Sequence, residues 1–116
     1  MSARRRTPRP SRRASRAPTI VWSARALADL EDIGSYIARD DPVAAERWVT
    51  KLIAAAERAA SAPMAGRRVP ELRRDDVREA LLGNYRIVYR IAAERFEVVV
   101  VFEGHRLFPR DAEPLP

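Results

Sequence analysis

The sequence of 116 residues predicts an α+β fold in the order β-α-α-β-β-β, with a helical hairpin packed on a small antiparallel sheet. Three observations carry that expectation. Apolar residues recur at helical spacing from Leu27 to Ala60, interrupted once by "RDDP" at 39–42. From Val77 the pattern changes to the alternation and β-branching of strands. The two patterns come in blocks rather than in turn, which places the helices together on one face of one sheet.

Each element has its own signal. "IVW" at 20–22 is a short apolar run that suits a first strand, and Ser23 after it suits an N-cap for a helix starting at Ala24. Leu27, Leu30, Ile33, Gly34 and Ile37 then form an apolar stripe, with Asp29, Glu31 and Asp32 read as an acidic outer face. The residue before Pro42 is pushed out of the helical region, while Asp41 as cap and Pro42 in the first turn begin a second helix. Its stripe is Ala45, Trp48, Val49, Leu52, Ile53, Ala56 and Ala60, ending at "SAP" (61–63). So short a connection implies an antiparallel hairpin.

Residues 64–76, "MAGRRVPELRRDD", read as a loop with a short strand near Val69. "VREALL", a tight turn at Gly83-Asn84, "YRIVYRI", the turn "AAER" and "FEVVVVFEG" then describe a three-stranded meander. Its middle strand places Tyr85, Ile87, Tyr89 and Ile91 on one face and Arg86, Val88 and Arg90 on the other. Tyr85, Tyr89, Phe96 and Phe102 are expected in the core, with Trp22 and Trp48 between hairpin and sheet.

The length suits one domain, over residues 20–110, flanked by an Arg-rich tail at 1–19 and a flexible C-terminus at 111–116. The basic balance belongs to the tail: residues 1–19 hold seven arginines and no acid, leaving 15 basic and 16 acidic residues from Ile20 onward. A nucleic-acid argument from net charge therefore applies to the tail and not to the fold. With almost nothing to bury, the tail is expected to be disordered. It reads as an inert or misassigned extension, a polyanion-binding arm, or an organelle transit peptide. No run approaches the ~20 apolar residues of a membrane span, and the absence of cysteine excludes disulfides and thiolate chemistry and suits a cytoplasmic protein.

Few residues offer chemistry. With one histidine, His105, and no cysteine, neither a nucleophilic triad nor a metal site is supported, and the four glycines form no phosphate loop. No cofactor is expected. What remains is a set of arginines: Arg78, Arg86 and Arg90 on adjacent strands, and Arg106 beside His105 after the last one. The guanidinium fork suits phosphate or carboxylate, so such a set is a candidate target or anion-binding site. The competing reading pairs the strand arginines with Glu79, Glu97 and Glu103 across the sheet.

Taken together, "LADLEDIGSYIARDDPVAAERW", "AGRRVPEL", "VREALLGNYRIVYRI" and "VVVVFEGHR" resemble the RelE/ParE superfamily of bacterial type II toxins, over roughly residues 20–108, and within it the ParE branch. The resemblance implies a cytoplasmic toxin silenced by a cognate ParD-like antitoxin, whose extended C-terminal region wraps it in a hetero-oligomer. It implies DNA gyrase as target, trapped on cleaved DNA, with no catalytic residue.

The alternative from the same superfamily is a ribosome-dependent mRNA endonuclease. There, Arg86 and Arg106 would stabilise phosphate charge and His105 would serve as general base. The lysines and the late tyrosine of such nucleases have no counterpart here: the preceding strand is "VREALL", Lys51 is the only lysine, and "LFPRDAEPLP" follows Arg106. A third alternative is a nontoxic module that binds antitoxin. For any antitoxin, the short hairpin on a small sheet is expected to leave an apolar groove exposed beside the helices.

Overall fold

The structure is a computed structural model that describes residues 19–112; residues 1–18 and 113–116 lie outside the described residues, and Thr19, read as the end of the tail, instead opens the first strand. Its elements are β1 (Thr19–Trp22), α1 (Ala24–Ala38), α2 (Pro42–Ser61), a 3-10 turn at Pro63–Ala65, β2 (Arg67–Arg68), β3 (Val77–Leu82), β4 (Tyr85–Ala92), β5 (Arg95–Glu103) and a 3-10 turn at Arg110–Ala112. The strands form one sheet in the order β1-β5-β4-β3-β2. The α+β class and the element order are those read from the sequence. The sheet is mixed rather than wholly antiparallel, because β1 pairs parallel with β5, Thr19 opposite Arg95 through Trp22 opposite Val98.

The helices start where the caps place them. The Ser23 hydroxyl accepts from Ala26 N–H at 3.0 Å and the Asp41 carboxylate from Ala44 N–H at 3.0 Å, with Pro42 in the first turn of α2. Ala26 and Leu30 of α1 and Leu52, Ala55, Ala56 and Ala60 of α2 are buried against Ile87, Tyr89, Phe96, Val98 and Val101 of the sheet. Tyr89 and Phe96 stack with centroids 4.3 Å apart. Trp22 packs against this core, and Trp48 meets Tyr85 edge-on at 5.6 Å. Gly83 turns the β3–β4 hairpin at φ +57°, and its missing side chain leaves room for the Trp48 ring.

The far face of the sheet is not solvated. Val69, Val77, Val88, Val99, Val100, Phe102 and Ala112 form a second buried cluster, closed by Leu72 and Phe108. The cause is a bulge. Val88 faces Val100 while Tyr89 faces Val98, so Val99 is an extra residue in β5 and alternation is broken there. Phe102 therefore turns away from the helices and meets Phe108 edge-on at 5.6 Å. The C-terminal segment is pinned as far as Ala112, which is buried, and Asp111, which accepts from Arg25 at 3.0 Å.

Beyond Val98, β5 has no β1 partner, and α1 supplies one. Ser23 donates through its N–H to Val98 C=O and through its hydroxyl to Val99 C=O, and the Asp29 carboxylate accepts from Val101 N–H at 2.9 Å. Asp29 is thus not part of an acidic outer face: it is a half-buried acceptor that fastens α1 to the sheet and also pairs with Arg25. Leu27 departs from expectation in the other direction and is 52% exposed. Replacing Asp29 with Ala is expected to cost about 2 kcal/mol in urea unfolding, because Val101 N–H loses its acceptor. Asp29→Asn, which keeps an acceptor oxygen, is expected to cost clearly less.

Candidate functional site

The sequence-derived arginines do not form one site. Backbone alternation puts Arg78 on the helix side of the sheet with Tyr89, and Arg86 and Arg90 on the far side with Val88. Arg106 lies in the loop after β5, its side chain 69% exposed, against Glu103 at 3.3 Å. His105 beside it is exposed.

Arg86 is the residue around which the far side is built. Its side chain is 9% exposed and its guanidinium lies over the Phe102 ring, 4.9 Å from the centroid. Nε donates to Glu79 at 2.6 Å, while the two terminal nitrogens donate to Glu71 at 2.9 and 2.8 Å as a parallel fork. The Glu79 side chain is fully buried and accepts a second guanidinium, Arg67, at 2.7 Å. The result is a row of alternating charge, Arg67–Glu79–Arg86–Glu71, that is neutral overall and joins β2, β3, β4 and the loop. A buried charge without such partners would be costly, so each member requires its neighbours.

Residues 66–76, β2 and the loop after it, supply half of these groups, and their sequence fits that task. Gly66 lies against Tyr89, where a Cβ would come within 1.9 Å of the hydroxyl. Tyr89 in turn donates to Pro63 C=O at 2.7 Å. Arg67 reaches Glu79, Val69 fills the second core and Glu71 forks onto Arg86. Arg78, by contrast, faces no carboxylate and donates to the carbonyls of Asp75, Gly66 and Met64 at 3.1, 3.0 and 3.3 Å.

Arg90 Nε is buried without a hydrogen bond and stands 3.7 Å from Asp76, whose carboxylate is held by Arg74 at 2.9 and 2.8 Å. The expected cross-strand pairs therefore hold for Arg86 with Glu79, while Arg90 meets Asp76 rather than Glu97. Among the described residues no group of His, Cys, Asp and Glu is placed to hold a metal ion, and no helix is long and apolar enough to cross a membrane.

Sequence reasoning missed the roles of Gly66, Arg67 and Glu71. A signal existed: Glu79 and Arg86 are charges at inward positions of otherwise apolar strands, and such charges need partners. The partners came from a loop whose fold the periodicity does not give.

The expected apolar groove lies along the hairpin, lined by Leu27, Ala28, Leu30, Gly34 and Val49 with Glu31 at its rim. Gly34 makes it narrow, since a Cβ there would stand 3.1 Å from Val49.

The Arg86 fork holds the Glu71 carboxyl below the ordinary carboxylate range, and Glu71 in turn raises the Arg86 value further. Burial pushes the Tyr89 hydroxyl up.

The family model described as "ParE toxin of type II toxin-antitoxin system, parDE" matches residues 20–108. The chain is 38% identical over 93 residues to "Putative toxin Y4kP" of Sinorhizobium fredii, covering 78% of this chain and 93% of that protein. It is 35% identical over 88 residues to "Toxin RelE2" of Caulobacter vibrioides, covering 76% and 97%. A chain of the solved structure titled "Chromosomal ParDE TA system from P. aeruginosa" shares the fold with a TM-score of 0.64 and 18% identity, over 76% of this chain and 97% of that one.

Two outcomes follow from the charge row. Arg86→Ala is expected to destabilise the fold by about 3–5 kcal/mol in denaturant, because Glu79 is left buried and half-paired. The double change Arg86→Met with Glu79→Leu should cost less than that single change. The lowered Glu71 value gives a pH signature: its stabilisation is complete above the unfolded-state value near 4.5 and is lost as pH falls through the lower folded value. The stability gap between the unsubstituted protein and Glu71→Gln is therefore expected to be flat at neutral pH and to close in acid.

Proposed function

This chain belongs to the ParE toxin family of type II toxin–antitoxin systems, and we propose that it acts by binding rather than by chemistry: it engages DNA gyrase, holds it on cleaved DNA, and is silenced in the cytoplasm by a ParD-like antitoxin in a hetero-oligomer. The gyrase target comes from the resemblance to the ParE branch.

The observation that carries the non-catalytic reading is the state of Arg86. In the ribonuclease alternative this side chain would meet a phosphate, yet three of its N–H groups are bonded to two carboxylates in a site closed by Phe102. An incoming phosphate would have to displace Glu71 and stand near the buried charge of Glu79. Both are electrostatically unfavourable. Proton transfer finds no better support: the carboxylate on β3 is paired twice, and His105 stands exposed on the loop after β5. Arg78, Arg90 and Arg106 remain as residues whose exposed parts can meet a target surface. The groove along the hairpin supports the antitoxin part, since an amphipathic helix fits such a groove through residues at i, i+3 and i+4.

One protein preparation tests the reading in two reactions. With purified gyrase, supercoiling is expected to fall and linear DNA to accumulate after detergent treatment; with programmed ribosomes, mRNA is expected to stay intact. Cut mRNA with unaffected gyrase would overturn the proposal and direct attention to His105 and Arg106. Deleting residues 2–18, which lie outside the matched span, is expected to leave growth arrest unchanged at equal protein level.

A further inference from the structure

We infer that the open edge of β3 at Ala80–Leu82 is a docking site for an extended, acidic segment of the antitoxin, which adds a strand to the sheet. This inference rests on the antitoxin reading above and goes beyond it by placing a second seat, separate from the helical groove.

The edge is open because β2 is short. It covers only Arg78 and Glu79 of β3. Val69 N–H donates to Val77 C=O on the β2 side, and Ile91 N–H donates to Asp76 C=O on the β4 side. Odd-numbered residues of β3 therefore aim their main-chain groups at β2, even-numbered ones at β4. Leu81 aims its N–H and C=O outward, past the point where β2 has ended.

The chain leaves the sheet there in a fixed way. Before Gly66 it runs in the 3-10 turn Pro63–Ala65, which is fixed in place by Tyr89 on Pro63 C=O and by Arg78 on the carbonyls of Met64 and Gly66. The course of the chain beside the gap is thus set by side chains of the sheet.

What borders the gap identifies its occupant. A groove of about 400 Å³ runs between the edge and the end of α2, walled by the small side chains of Ala55, Ala59, Ala62 and Ala80, which leave room for a backbone. Met64 and Leu81 are 62% and 57% exposed beside it. The edge has none of the usual guards, no proline, lysine or bulge, over Ala80–Leu82. Arg58 lines the groove and makes no ion pair among the described residues, while Arg67 and Arg68 flank it, more than half exposed but paired with Glu79 and Asp75. Two copies of this edge would bring their unpaired Arg58 side chains together, so charge selects an acidic partner over a second copy.

The test uses the full chain and the protein encoded by the adjacent gene. Residue-resolved hydrogen exchange follows the Leu81 amide, and calorimetry gives the affinity of the unsubstituted chain and of Arg58→Glu. The expected result is fast exchange at Leu81 in the free chain, strong protection in the complex, and an affinity about tenfold weaker for Arg58→Glu. A tight complex with Leu81 still exchanging fast and Arg58→Glu without effect would overturn the edge site while leaving the antitoxin reading intact. Protection of Leu81 that grows with concentration of the chain alone would assign the edge to a second copy and overturn the proposal. Failure to form any complex would overturn both.

Discussion

The pairing of Arg86 with Glu79 and Glu71 is the constraint on which the far side of this molecule depends. A carboxylate with no exposed side-chain surface, Glu79, sits in the sheet between two guanidinium groups, and one of these reaches on to a loop carboxylate. Because a buried charge is tolerated only when its partners are in place, the loop at 66–76 must close over the sheet for β3 and β4 to pair as they do. Closure brings Val69 and Leu72 onto Val77, Val88 and Phe102, so the ion row and the second core form together. Gly66 is required by the same closure, since the loop passes against Tyr89 from the first core.

The other side is organised by a backbone need rather than a charge. A bulge at Val99 and a short β1 leave the middle of β5 without a strand on its outer edge, and the first turns of α1 provide the missing partners through Ser23 and Asp29. The helical hairpin is thereby fixed in position by three hydrogen bonds as well as by its apolar stripe. That position leaves Leu27 and the cleft at Gly34 uncovered, which gives the toxin a groove along the helices. A second opening arises where β2 ends early. Both openings are consequences of incomplete covering in a small domain.

Much of the fold was legible in the residues because local signals agreed with one another. Ser23, Asp41, Pro42 and Gly83 mark ends and turns through their own backbone chemistry, and the stripes and alternations mark faces. The bulge was not legible: in "FEVVVVFE" four valines in a row satisfy either face, so the switch that sends Phe102 to the far side has no signature. Asp29 was misread for a related reason, since a carboxylate on a helix looks the same whether it faces water or a strand N–H. The arginine set was legible as residues but not as roles. The register across the Gly83 turn, which sets Arg78 opposite Tyr89, separates Arg78 from Arg86 and Arg90, and the partners of Arg86 depend on a loop with no periodic pattern.

Arg86, held between Glu79 and Glu71, builds the far side of the sheet. The direct measurement is NMR of the Arg86 Nε–H in the labelled protein, followed through addition of a single-stranded RNA and then of inorganic phosphate. An arginine held by Glu79 and Glu71 gives a slowly exchanging resonance that neither addition moves. A resonance that exchanges quickly, or that shifts and saturates with RNA or phosphate, would contradict the structural role and return Arg86 to the anion-binding residues.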